Sequence, residues 1–474
     1  MPGDIEKAVL CTAGALFFLF SGCKKFLAVD PPFTSTSTET VFQKDVTAAA
    51  ALTGIYTSME GPYQPGGGAN AISIEMALYT DEIAPVNLGP SFITLLYTNS
   101  LRSVHTTNGD WNSMYSLIYR ANAALEGMTA SASLTPAVKQ QLMGEALFMR
   151  AFLHFYLTNI FDGVPLVLTT DYKVNAALSR SSYAQVMAQV IQDLKRADSL
   201  LSPDYKGSDG NSATSQRVRP CKAAAEAMLS RAYLYTKDYP NAEIYASKVI
   251  GQGDSYRLVG LDSIFLMNSK EAIWQAPSLK TGVDANTNEG RTFIVSSTTN
   301  NFWGPDFYIQ DTLSNSFESG DLRRTSWIKT ASSGNGVSYT FPFKYKIGHD
   351  NVPTAEYSTI LRLGELYLIR AEARAMQNEI GAAQDDLNAI RMRAGLQPTT
   401  AATQTDLVSA LVHERQVELF TEWGHRFFDL KRLKLLDAIL GPIKAPNWQT
   451  TDENFPIPQE ERDVDINLTQ NLGY

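Results

Sequence analysis

Cysteine is almost absent from this chain: three among 474 residues, at positions 11, 23 and 221. That excludes a disulfide framework as the source of stability, which must come from packing. Histidine is nearly as scarce, with five residues, at 105, 154, 349, 413 and 425. None forms a His-Glu-x-x-His pair, and Gly-x-Ser-x-Gly and phosphate-loop motifs are also missing, so the commonest hydrolase and nucleotide chemistries find no support. A basic cluster is lacking too. The formal charge is −9, and a nucleic-acid partner would call for a basic face. No Asp/Asn/Gly loop has calcium spacing, and the chain implies no cofactor. The apolar run Ala8 to Phe20 is too short to cross a bilayer as a helix, which takes about 20 residues.

That run has instead the length of a signal-peptide core, and it ends in Ser21-Gly22-Cys23. Small residues closing on a cysteine mark where a lipoprotein is cleaved and acylated. Residues 1–22 therefore read as a signal peptide and Cys23 as the lipidated first residue of the mature chain. Asp4 and Glu6 against Lys7 depart from the usual positive start, and Phe20 stands where leucine is commoner. Residues 23–45, rich in Pro, Ser and Thr, read as an extended leader. Once Cys11 is cleaved off and Cys23 acylated, Cys221 is left without a partner.

Beyond the leader the pattern is mostly helical. Helical spacing runs over 46–59, 111–128, 136–161 (opened by Thr135-Pro136, closed by Asp162-Gly163-Val164-Pro165) and 186–201. Two segments look like tetratricopeptide units, paired antiparallel helices whose small residues allow close approach. The clearer is 223–250, with Asp238-Tyr239-Pro240 at the turn and Ala242 opening the second helix. The other is 367–394, turning near Gly381, and the pair 111–161 reads equally well as a third copy or as an ordinary hairpin. Residues 252–350 differ, with frequent Gly, Asn, Ser and Thr and isolated aromatics. A loop of that length without structure is unusual, so they read as loops and short strands inserted into the scaffold.

Several motifs then occur in a fixed order. Lys24-Lys25-Phe26-Leu27 and Asp30-Pro31-Pro32 follow the cysteine. Gly144 to Leu153 precedes Asp162 to Leu166, and Leu361 to Ala373 precedes Leu387 to Arg391. Glu414-Arg415, Glu418 and Glu422 to Arg432 come next, and the last are Phe455-Pro456-Ile457-Pro458 and Gln470 to Tyr474. In this order they resemble the SusD/RagB family of outer-membrane nutrient-binding lipoproteins of Bacteroidetes, from Cys23 to Tyr474. The resemblance implies one SusD-like domain over 46–474, with helical repeats within about 111–161, 183–250 and 360–394. An irregular lobe at about 252–350 would carry the ligand. It also implies a cell-surface, lipid-anchored protein that binds oligosaccharides or polysaccharides and passes them to a TonB-dependent β-barrel of the SusC type. Peptide cargo occurs among relatives. The charged residues of the motifs (Glu145, Arg150, Arg370, Glu372, Glu414, Arg415, Arg426, Asp429) read as ion-paired scaffold, since buried charges need partners.

Sugar rings offer apolar C–H faces and a rim of hydroxyls, which suits exposed Tyr and Trp with polar neighbours. On that chemistry the candidate ligand residues are Trp303 with Asn301, Trp327 with Arg324, Tyr63 in the glycine-rich loop, and Tyr97. Asp81 and Glu82 are hydroxyl acceptors. Two other readings compete: a glycosidase with paired carboxylates, and a repeat scaffold that binds only proteins. Nothing beyond abundant carboxylates favours catalysis, and a pure scaffold does not need the aromatic insertion.

Overall fold

The computed structural model describes residues 38–61, 64–67, 71–104, 109–294, 306–332 and 337–474. The helices that organise it are α1 (Asp45–Met59), α2 (Ile72–Tyr79), α3 (Gly109–Ala130), α4 (Pro136–Phe161), α5 (Tyr183–Leu200), α6 (Lys222–Tyr235) and α7 (Tyr239–Ile250). After the irregular lobe come α8 (Leu363–Met376), α9 (Ile380–Arg393), α10 (Gln404–Leu419), α11 (His425–Arg432) and α12 (Leu436–Ile443). From α3 to α10 each helix packs on the next, giving a continuous array, while α1 lies across α3 and α4. Among the described residues, no helix is long and apolar enough to cross a membrane.

The array follows from side-chain size and capping. Helix α6 is buried on every side and carries Ala223, Ala224, Ala225 and Ala227, which let its neighbours approach closely. Helix α5 buries one stripe, Val186, Val190, Leu194 and Ala197, and starts with a capping box between Ser182 and Gln185. The two repeat turns are alike. After α6, Lys237 takes a left-handed φ of 60° and the N–H of Asp238 donates to the Tyr233 carbonyl at 2.9 Å. After α8, Asn378 takes φ 64° and the N–H of Glu379 donates to the Arg374 carbonyl at 2.9 Å. Both are Schellman closures, in which the left-handed residue turns the chain back to satisfy the helix's last carbonyls.

The lobe, built mainly from the chain between α7 and α8 and joined by residues 83–85, holds three two-stranded antiparallel sheets. They pair β1 (Ile83–Pro85) with β3 (Phe307–Ile309), β2 (Ala272–Ala276) with β6 (Ser358–Arg362), and β4 (Ile328–Ser332) with β5 (Ser338–Pro342). Their size accounts for the weak strand pattern in the sequence.

The lobe is fastened to the helices by buried charge. Glu418 on α10 accepts from Arg362 at 2.7 Å, Arg323 at 3.0 Å and Arg393. Arg362 also reaches Glu271 at 3.1 Å and Glu422 at 2.6 Å, and Lys344 pairs with Glu422. Burial alone would raise the Glu418 pKa, but Arg393, Arg362, Arg323 and Lys344 hold it far below the usual carboxylate range. Each of the eight charged motif residues singled out above has a partner: Glu145 with Arg219, Arg150 with Asp193, Arg370 with Asp386, Glu372 with Arg432, Glu414 with Arg323, Arg415 with Asp429, and Arg426 with Asp81.

Candidate ligand-binding face

The short helix Phe92–Tyr97 starts at Ser91, whose hydroxyl accepts the N–H of Thr94, and ends by delivering Tyr97 to the surface of the lobe. Tyr97 is half-buried. Lys444 fixes it from beneath: its Nζ lies 4.3 Å from the ring centroid and donates to the carbonyls of Tyr97 at 2.9 Å and Leu78 at 3.0 Å. Burial draws the Lys444 ammonium down to about 7, against the pull of Asp81. Burial, with the Tyr308 phenol close enough to add to it, pushes the Tyr97 phenol up.

Tyr308 comes from β3, where Phe307 and Ile309 point inward and the residue between them is half-exposed. Its ring centre is 6.4 Å from that of Tyr339 on β5. Tyr97, Tyr308 and Tyr339 thus converge from three separate segments. Half-exposed, they bring aromatic faces and phenol groups near one another, the combination that suits a sugar face. Next to them, the carbonyl of Asp306 accepts the N–H of Val86 at 2.9 Å, and the Asp306 side chain is exposed.

Of the described residues singled out in the sequence, Tyr97 alone lies in this cluster. Trp327 is a correction: it is 0% exposed, donates its indole N–H to the Leu261 carbonyl at 3.2 Å, and packs among Phe265, Phe420 and Lys344. A ring with both faces covered cannot stack on a ligand. Asp81 is a second correction, because its carboxylate is buried and spent on Arg426 at 2.9 and 2.8 Å. Glu82 is buried as well, and burial beside Asp81 pushes its carboxyl up to about 8. Arg324 is exposed, with Nη1 donating to the Ser314 carbonyl at 2.8 Å. Cys23, Tyr63, Asn301 and Trp303 lie outside the described residues. Tyr308 and Tyr339 stand among the isolated aromatics of the 252–350 insertion but are not among the ligand residues expected from the sequence; the further signal was the alternation Phe-Tyr-Ile at 307–309.

The helical array carries a half-exposed aromatic face, and the charges of its described motifs are paired within the scaffold. Comparison with known proteins is more specific. Residues 25–234 match the SusD-like family described as starch-binding and associating with the outer membrane, and residues 270–474 match the SusD family. The chain belongs to the SusD/RagB family, whose members are non-enzymatic binding proteins. SusD-like protein P25 of Formosa agariphila is 22% identical over 97% of this chain and 98% of its own length. The starch-binding protein SusD of Bacteroides thetaiotaomicron is 30% identical over 35% of this chain and 28% of its own. Among solved structures, a laminarin-binding SusD-like protein superposes with a TM-score of 0.76 at 21% identity, covering 91% of this chain and 100% of that one.

Proposed function

We propose that this protein captures oligosaccharides or polysaccharides at the cell surface, anchored by lipid on Cys23, and delivers them to a SusC-like TonB-dependent barrel in the outer membrane. The observation that carries the reading is the cluster of Tyr97, Tyr308 and Tyr339, which offers stacking surface and hydroxyl-bonding groups together. The family's starch- and laminarin-binding members make glycan the best-supported cargo. The lipobox-like Ser21-Gly22-Cys23 supports the anchor.

Affinity electrophoresis against a polysaccharide panel tests the reading. One polysaccharide class should retard the soluble domain, and Tyr97→Ala should weaken that binding roughly tenfold, as loss of an aromatic anchor does. Retardation by no glycan would overturn it. Membrane release of a Cys23→Ala variant and co-purification of the wild type with a barrel test the anchor and the partner separately.

A further inference from the structure

Lys444 stands where three helix ends meet. It is the C-cap residue of α12, is only 7% exposed, and brings its Nζ beneath the end of the helix Phe92–Tyr97. The two carbonyls it reaches, Leu78 at 3.0 Å and Tyr97 at 2.9 Å, belong to the last turns of α2 and of that helix. Last-turn carbonyls have no donor within their own helix, so one ammonium closes both ends. The same Nζ lies 4.3 Å from the Tyr97 ring centroid, a cation–π distance. The buried cation thus covers one face of a half-exposed ring and leaves the other for a ligand.

Counting protons separates these two duties. An ammonium has three N–H groups and a neutral amine two, still enough for both carbonyls. Loss of the proton therefore leaves the helix ends closed and removes only the attraction on the ring. The sugar itself would then have to order Tyr97, at a cost in rotamer freedom that the cation otherwise removes in advance. Burial draws the ammonium down to about 7 against the pull of Asp81, so its charge changes near neutrality. The groups around it are otherwise engaged: Asp81 is ion-paired with Arg426, the Tyr79 phenol donates to the Asp452 carbonyl, and Asp437 on α12 accepts the Trp448 indole N–H. The Tyr97 phenol, raised by burial and by Tyr308, stays neutral through the same range. Glu82, next to Asp81 in the chain, titrates at about 8 and has to be told apart from Lys444.

We propose, on the glycan reading above, that Lys444 is a positioning residue of the binding face: its charge holds the Tyr97 ring for stacking and so sets the affinity. Calorimetric titration with the polysaccharide class that retards the protein, from about pH 6 to about pH 8.5, tests it on wild type, Lys444→Met, Lys444→Arg and Glu82→Gln. The wild-type affinity should fall about threefold or more as pH rises, with a midpoint near 7, the effect of losing a buried cation–π contact. Lys444→Met should bind at the weak level throughout and Lys444→Arg at the tight level throughout, while Glu82→Gln keeps the wild-type fall. A level wild-type profile overturns the proposal, as does a fall of the same size in Lys444→Met, and both leave the glycan reading intact. A fall abolished by Glu82→Gln also overturns it, by assigning the control to that carboxyl. No binding at any pH overturns the glycan reading and this proposal together. Melting curves confirm folding. If Lys444→Met fails to fold, Lys444→Arg decides, a level profile supporting the proposal and the wild-type fall overturning it.

Discussion

Lys444 and Glu82 show how single buried groups in the lobe answer to pH. Glu82 has its carboxyl raised from 4.5 to about 8, chiefly by burial and then by Asp81. Between those two values the folded state holds a proton that the unfolded chain gives up, so this group's contribution to stability falls as pH rises from about 4.5 to 8. Glu82→Gln keeps the neutral shape and should flatten that slope, read as the difference between wild-type and variant urea midpoints at pH 5 and pH 8. Lys444 has the opposite sign. Its folded pKa, near 7, lies below the ordinary 10.5, so the penalty for burying its charge is fully present below pH 7 and relaxes above it. His154, drawn down to about 4 by burial, behaves similarly: it is neutral when folded and costs stability as pH falls from 6.5.

Among the elements, the helices were legible because burial imposes a 3.6-residue period over long stretches. The spacing over 136–161 and the small residues at 223–227 leave little freedom in assigning α4 and α6. The repeat turns were legible too, since Asp238-Tyr239-Pro240 is a helix start: the Asp238 side chain accepts the N–H of Asn241, with Pro240 in the first turn. The binding face was not. β3 is three residues long and its partner lies more than 200 positions earlier, so no local pattern announces that Tyr308 will face outward. Trp327 misled for a related reason. Its neighbours Arg323 and Arg324 look like a polar rim, yet Arg323 turns inward to Asp321, Glu414 and Glu418 and takes the indole with it into the core. The turns supply a further test. Lys237 is exposed and occupies a left-handed position that glycine holds without strain, so Lys237→Gly should stabilise the protein by about 1 kcal/mol, measured by denaturant unfolding.

At the scale of the molecule, the charge network makes lobe and helices one cooperative unit. Arg362→Met would leave Glu271, Glu418 and Glu422 short of a cation and should cost about 3–5 kcal/mol, the usual penalty for breaking a buried ion cluster on one side. Calorimetry should show one broad loss of both regions, with no surviving helical transition. Gly364 probes the same joint more gently. A Cβ there would lie 2.4 Å from Arg362 Nη1 and 2.9 Å from Glu271 Oε1, so Gly364→Ala should cost about 1–3 kcal/mol by overpacking.

The pairings that close the structure span most of the chain. Asp81 waits for Arg426, 345 positions later, Phe161 for Asn471, 310 later, and the Tyr79 hydroxyl for Asp452, 373 later. During synthesis the aspartate and the tyrosine would therefore stand in the nascent protein with their partners not yet made. The repeats can coil as they emerge, but the lobe cannot lock until Arg426, Asp452 and Asn471 have been made. A ribosome that stalls before the Arg426 codon would release an open, protease-sensitive product.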